Sequence, residues 1–212
     1  YIFNLAFMGD LIFDRPLGKS KSPVSIIPFL NTITSKDFEN NNNNNSLKIG
    51  GDAKLTIANS MNLDLTLNPD FSQVEVDQQV TNLTRFEVGL PERRQFFIEN
   101  SDLFGSYGDG RDSNPFFSRR IGIAKDINDE NIENRIIAGV RLSGKLNNNF
   151  RVGILSMQTD EDLANEIPTV NNSVISLQHK VFSRSNISVL FINKQSTKDY
   201  EFLDDNDKYN RV

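Results

Sequence analysis

The chain contains no cysteine and no tryptophan among its 212 residues. Without cysteine it has neither a disulfide framework nor a thiolate metal site. It also lacks an excess of positive charge: the formal net charge is -5 and the pI is about 5.0, which argues against a general nucleic-acid-binding protein. No stretch approaches the roughly 18 consecutive apolar residues that suggest a membrane-spanning helix. Any crossing of a membrane therefore has to be made by strands.

Apolar and polar residues alternate with period two over long stretches, a pattern that predicts strands with one apolar and one polar face. The alternation occupies 47–57 and 61–68, which a three-residue turn joins, and it returns in 135–146 and 150–154. A looser copy lies between 173 and 194. The short turns between these stretches predict three β-hairpins, and an antiparallel meander is the simplest topology that contains them.

Long connections separate the hairpins. Residues 69–134 break the strand pattern, and 159–172 form a second long, acidic connection. A strand is expected over 24–33, and the six asparagines Asn40–Asn45 predict a flexible loop tip after it. Transmembrane barrels join long amphipathic strands alternately by short turns and long loops. A soluble sandwich, which remains the alternative, has strands nearer five or six residues.

We therefore predict an all-β fold, an antiparallel meander of long amphipathic strands that forms part of an outer-membrane β-barrel with a long irregular insert. The whole of 1–212 is expected to be one barrel region, and 69–134 a loop that caps the barrel or fills its lumen. The chain has few of the Trp and Tyr residues that mark membrane interfaces, but its 16 Phe can partly substitute for them. Six or seven visible strands are fewer than the eight of the smallest closed barrels, so further chain is expected to complete the wall.

The first part of the insert concentrates charged side chains that admit two interpretations. A pair of carboxylates can serve a glycosidase as acid and as nucleophile or base. Seven acids within about 35 residues, however, form many pairs by chance, and buried acids and arginines must in any case compensate one another. We expect the structural role and no catalytic residues. The lone His179 lies on an alternating strand without a second histidine, so it predicts a wall residue and no metal site.

Three motifs in this region, with Phe116–Gly122 and the glycine-containing strand at 136–146, resemble the domain of unknown function 5916 family of Bacteroidota. The motifs are Asn68–Asp77, Asn82–Glu87 and Pro91–Glu99, and the resemblance extends over about residues 24–195. Members carry a carbohydrate-binding-module-9-like domain followed by a C-terminal outer-membrane β-barrel. The candidate structural or binding residues are Asn68, Pro69, Asp70, Phe71, Gln73, Glu75, Asp77, Asn82, Arg85, Glu87, Pro91, Glu92, Arg93, Arg94, Phe96, Phe97 and Glu99.

The resemblance implies that this chain is part of the barrel region of a longer protein in the cell outer membrane. The expected partners are outer-membrane lipid, the remainder of the parent chain and a glycan or other polymer ligand, with no nucleic acid and no cofactor. The expected function is binding or uptake of such polymers at the cell surface. Two alternatives stay open: an accessory to a glycosidase-like surface hydrolase, and a structural or secretion-linked plugged barrel without catalysis.

Overall fold

A computed structural model describes residues 14–15, 24–37, 42–57, 60–69, 92–108, 114–128, 131–182, 185–203 and 209–211. The strands are β1 (Val24–Asp37), β2 (Asn42–Ile57), β3 (Met61–Leu67), β4 (Ile123–Lys125), β5 (Asn131–Glu133), β6 (Ile136–Asn147), β7 (Phe150–Thr159), β8 (Val170–Val181), β9 (Ser185–Ser196) and β10 (Tyr209–Arg211). The helices are α1 (Gln95–Ile98) and α2 (Asp102–Gly105), with 3-10 turns at Ser118–Arg120 and Leu163–Asn165. The described part of the chain is thus mainly β-structure.

Eight of these strands form one open antiparallel sheet in the order β1-β2-β3-β6-β7-β8-β9-β10. Each strand pairs with the next one along the chain, except that β3 pairs with β6 across the insert. The three predicted hairpins are confirmed as β2–β3, β6–β7 and β8–β9. In the β6–β7 turn, the Asn147 side chain accepts the Asn149 N–H at 2.9 Å, which is how asparagine favours tight turns. The predicted antiparallel meander is therefore correct.

The short and long connections lie at opposite ends of the sheet. The turns from β2 to β3, β6 to β7 and β8 to β9 span two or three residues at one end, which we call the short-turn end. The connections from β1 to β2, β3 to β6 and β7 to β8 lie at the other end, the long-connection end. The last two of these are the predicted long connections.

The predicted loop tip at Asn40–Asn45 is wrong for four of its six residues. Asn42–Asn45 begin β2 and pair with Thr34–Asp37 of β1, while residues 40 and 41 lie outside the described part of the chain. A β-ladder is built from backbone N–H and C=O groups, which asparagine has like any other residue. Low side-chain hydrophobicity therefore did not prevent the strand from extending.

The sheet has two chemically different faces. On the first, the apolar face, one row of paired residues crosses seven strands and every member is hydrophobic. The row consists of Val24, Leu55, Leu63, Leu142, Ile154, Ile175 and Phe191. Large side chains of this face stay exposed, for example Leu65 at 37% and Phe191 at 50%.

The opposite face, which we call the covered face, carries the polar members of the alternation. Described residues 92–134 of the insert pack against it and contribute α1, α2 and the small β4–β5 hairpin. The hydrophobic core lies in this contact. Its buried members are Phe97, Leu103, Phe104 and Ile121 from the insert, with Ile136, Leu155, Met157 and Val174 from the sheet. The core of the molecule is thus on the face that the alternation marks as polar.

Candidate functional site

The center of the contact between sheet and insert is a buried ion pair between adjacent strands. Arg141 on β6 faces Asp64 on β3 in register, and its Nη2 and Nε donate to Oδ2 of Asp64 at 2.8 and 3.2 Å. Arg141 is 1% exposed and Asp64 is 9% exposed. A buried charge pair keeps its geometry only when further hydrogen bonds satisfy the remaining donors and acceptors.

The insert supplies those further bonds. The backbone carbonyl of Glu99, just after α1, accepts from Nη1 of Arg141 at 2.8 Å, and the Phe96 ring centroid lies 5.3 Å from the guanidinium. The carboxylate of Glu99 accepts from the ammonium of Lys54 on β2 and from the amide of Asn62 on β3. Glu99 therefore links the insert to three strands of the sheet.

A second ion pair stabilises the insert internally. Arg94 is buried and donates from Nε and Nη2 to the two carboxylate oxygens of Glu92 at 2.9 and 2.7 Å. Its Nη1 and Nη2 also donate to the carbonyls of Ile121 and Ser118, both at 2.6 Å, and its guanidinium lies 4.2 Å from the Phe97 ring centroid. Arg94 thus joins the segment just before α1 to residues 118–121. Its neighbour Arg93 is exposed.

Glu92 and Glu99 are both held in the ionised form. Burial by itself would raise the pKa of Glu92, but the hydrogen bonds and charge of Arg94 and the hydroxyl of Ser118 outweigh it, so the pKa lies below the ordinary 4.5. Burial would likewise raise the pKa of Glu99, and the hydrogen bond and charge of Lys54 with the charge of Arg141 lower it instead. A glycosidase acid needs the opposite direction, a raised pKa. Neither glutamate suits that role.

Aromatic side chains of the insert fit into a notch in the sheet. Gly153 on β7 faces the insert, and a Cβ added there would lie 2.8 Å from Cζ of Phe104 and 3.3 Å from Cβ of Leu103. Phe104 also packs against the Phe116 ring at 6.3 Å between centroids. Glycine at 153 therefore provides the space that the Phe104 ring occupies.

Polar contacts attach the second helix along the same face. Arg151 on β7 donates to both carboxylate oxygens of Asp102 at 2.6 and 3.1 Å. The Asn100 amide donates to the Ser143 hydroxyl at 3.0 Å, and the hydroxyls of Tyr107 and Ser176 lie 2.8 Å apart. These bonds fix α2 over β6, β7 and β8.

A cavity of about 330 Å³ remains between the insert and the covered face. Its lining combines aromatic rings, among them Phe104, Phe116 and Phe117, with polar groups such as Asp102 and Asn114. This combination of apolar surface with a few polar groups is typical of small-molecule sites.

Asn68 closes β3 at the point where the chain leaves the sheet. Its φ of 45° is left-handed, a conformation that asparagine tolerates better than most residues. Its Nδ2 donates to the carbonyl of Ile49 at 2.6 Å, its Oδ1 accepts from Nε of Arg135 at 2.8 Å, and its N–H donates to Ile137 at 2.7 Å. Asn68 thereby joins β2 to the strand that begins after the insert, and Pro69 follows it.

The structure gathers only part of the predicted residue set. Glu92, Arg94, Phe96, Phe97 and Glu99 lie together in the contact described above. Asn68 and Pro69 instead follow the end of β3, and Arg93 is exposed. The other nine predicted residues fall outside the described part of the chain: Asp70, Phe71, Gln73, Glu75, Asp77, Asn82, Arg85, Glu87 and Pro91.

The sequence analysis did not single out Asp64 and Arg141 as candidate site residues. The available signal was a charge in the middle of each of two strands, on the polar side of the alternation. His179 lies exposed on β8 with its ring 6.0 Å from that of Phe150. Among the residues that the structure describes, no cluster of three or more His, Asp or Glu could hold a metal ion. In the same ranges, no helix has the length and hydrophobicity needed to cross a membrane.

Comparison with known proteins gives one result. Neither a curated protein nor a solved structure matches the chain significantly. A family model matches residues 23–206, which is most of the chain and includes the whole sheet up to β9 together with the insert. The chain therefore belongs to the family described as Domain of unknown function (DUF5916).

Proposed function

We propose that the eight-stranded sheet is part of the wall of an outer-membrane β-barrel and that the insert occupies the barrel interior. The observation that carries this proposal is the choice of face: the insert covers the polar face and leaves the apolar face exposed. A water-soluble sheet buries its apolar face against a helix layer or a second sheet. A barrel in a membrane has the reverse arrangement, with apolar residues toward lipid and polar residues toward the interior.

The boundary of the exposed apolar surface supports the proposal independently. Toward the long-connection end, apolar residues continue beyond the apolar row as far as Leu30 on β1 and Leu47 on β2. In β7, β8 and β9 the apolar residues end at the apolar row. The next residues toward the long-connection end on the same face are Ser156, Ser173 and Asn193.

The boundary therefore lies farther toward the long-connection end in β1 and β2 than in β7, β8 and β9, where it follows one row of paired residues. Because barrel strands are tilted, a level membrane boundary crosses different strands at different points of the pairing register. Membrane barrels have tilts of about 35–45°. A bilayer of constant thickness would require such an oblique boundary.

Connection lengths give the orientation. Short turns of outer-membrane barrels face the periplasm and long loops face outward. The short-turn end is accordingly periplasmic in this proposal, and the insert enters from the outer side. Because the sheet is open between β1 and β10, closure of the barrel requires further strands.

For the ligand, we propose a glycan or other extracellular polymer that the barrel binds or admits. The family resemblance supports this choice through the carbohydrate-binding-like companion domain. The cavity beside Phe104, Phe116 and Phe117 is the first place to test it. Titration of the full-length protein with mixed oligosaccharides should give binding that Phe116→Ala weakens. A plugged wall without ligand is the second candidate, which the many fixed contacts of the insert favour.

Cell fractionation tests the main proposal. The full-length protein should be recovered with the outer membrane and should migrate differently on a gel before and after heating, because a closed barrel satisfies every backbone group and resists detergent. Recovery as a soluble periplasmic monomer would contradict it. Single-channel conductance in a planar bilayer then separates an open lumen from a plugged one.

A further inference from the structure

The β8–β9 turn carries an exposed aromatic residue on an unfavourable backbone. Phe182 follows β8 directly, has a φ of 56° and is 90% exposed. A left-handed φ is disfavoured for residues with a bulky side chain, whereas glycine or asparagine adopts it readily. A glycine or asparagine would therefore suit the backbone at this position better than phenylalanine. A phenyl ring exposed to water is also unfavourable.

The surroundings of Phe182 continue the apolar face to the end of the sheet. Ile187 on the paired strand β9 is 62% exposed, and Leu146 near the end of β6, two strands from β8 in the sheet, is 61% exposed. The exposed Lys145 and Lys180 alternate with these apolar residues and point to the opposite face. An exposed aromatic residue at the end of an apolar face is typical of the boundary between acyl chains and headgroups.

We propose that Phe182, with Ile187 on the neighbouring strand β9, is an anchor that inserts into the interfacial layer of the leaflet at the short-turn end. This inference rests on the proposed membrane wall. It names Phe182 as the residue that sets how deeply the short-turn end of the wall lies in the bilayer. The partner is a phospholipid surface, since the patch continues the apolar band at the level where that band ends.

Fluorescence quenching in vesicles tests the anchor. The full-length protein carrying Phe182→Trp is reconstituted in phosphatidylcholine vesicles with some phosphatidylglycerol, and the difference spectrum against the unmodified protein isolates the new indole. Ile154→Trp, in the middle of the apolar row, is the control for the wall itself. We expect both indoles to be quenched by brominated lipid, the one at 182 by bromine near the headgroup and the one at 154 by bromine deeper in the chain.

The outcomes separate the two proposals. Quenching at 154 together with water-accessible fluorescence at 182, read by acrylamide, overturns the anchor and leaves the wall intact. Bromolipid quenching at neither position contradicts the wall. Quenching at 182 alone supports insertion of the turn but contradicts the wall.

A second variant detects the anchor without a probe. Phe182→Asn suits the left-handed backbone, so the folded protein in detergent should be at least as stable as the unmodified one. Its spontaneous insertion into the same vesicles should nevertheless slow by about fivefold, because less apolar surface enters the interface. Unchanged insertion would overturn the role of Phe182.

Discussion

Arg141 and Asp64 pair across β3 and β6 at 2.8 Å, two strands that are adjacent in the sheet although the insert separates them in the chain. The pair is buried beneath the insert. Removing one member leaves the other charge buried without compensation, so Arg141→Ala should destabilise the folded protein by about 3–5 kcal/mol. Denaturant unfolding of the full-length protein measures the loss.

A double substitution provides the control for this prediction. Asp64→Leu with Arg141→Met removes both charges and keeps similar volume, so it should recover most of the lost stability. If the single variant is as stable as the unmodified protein, the pair does not hold the insert to the sheet.

The Glu92–Arg94 pair should matter for folding before it matters for any activity. Glu92→Ala removes both oxygens that Arg94 bonds, and Arg94→Ala also removes the contacts with Ser118 and Ile121. Either change should lower the folded yield, judged by heat-modifiable migration. The matched control is Arg93→Ala, since Arg93 is exposed. Normal yield of the Glu92 or Arg94 variant with loss of a hydrolytic activity would favour an enzyme.

Stability should fall in acid because of Glu92 and Glu99. The pKa of each lies below 4.5 in the folded protein. A depressed pKa contributes stability that is fully present above the unfolded-state value and is lost as the pH falls through the folded-state value. Unfolding free energy, measured from pH 6 downward, should therefore decline below about pH 4.5. In the Glu92→Gln variant, whose side chain does not titrate, the unfolding free energy should decline less steeply with falling pH. An equally steep decline would show that Glu92 does not contribute to the acid sensitivity.

Gly153 should be intolerant of larger side chains. A Cβ at this position would lie 2.8 Å from the Phe104 ring, and valine adds two further methyl groups. Gly153→Val should displace α2 from the sheet and expose the insert to limited proteolysis, at a typical overpacking cost of about 1–3 kcal/mol. Combining it with Phe104→Ala should restore part of the protection. If Gly153→Val leaves the proteolytic pattern unchanged, Phe104 does not occupy the notch.

The strands were predictable because apolar and polar residues alternate with period two along a β-strand that has one apolar and one polar face, as in 47–57 and 61–68. The extension of β2 through Asn42–Asn45 was not predictable, because backbone pairing with β1 leaves no side-chain pattern. The pairing of Asp64 with Arg141 depends on which strand follows β3 in the sheet. Sequence order does not give that neighbour when residues 68–135 intervene.

The alternation by itself did not identify the covered face, which followed only from the expectation that the insert fills a barrel lumen. Alternation shows that a strand has an apolar side and a polar side, but it does not show which side the insert occupies. The core residues Leu155, Met157 and Val174 lie on the same face as Asp64 and Arg141. Along β7 this face is therefore apolar enough to pack the Phe97 and Phe104 rings, although on β3 and β6 it is polar.

Cysteine accessibility in membranes tests the central claim most directly. In a cysteine-free background of the full-length protein, single cysteines replace Leu55, Leu65, Val140 and Leu142 on the apolar face. Asp64 and Arg141 lie under the insert, so the opposite face is sampled instead at the exposed Asp52 and Thr56. If the wall faces lipid, the first set should react with a lipid-soluble maleimide and not with a water-soluble one, and the second set should show the reverse preference. Protection of the first set from both reagents would indicate a packed protein core, and labelling of the first set by the water-soluble reagent would contradict the membrane wall.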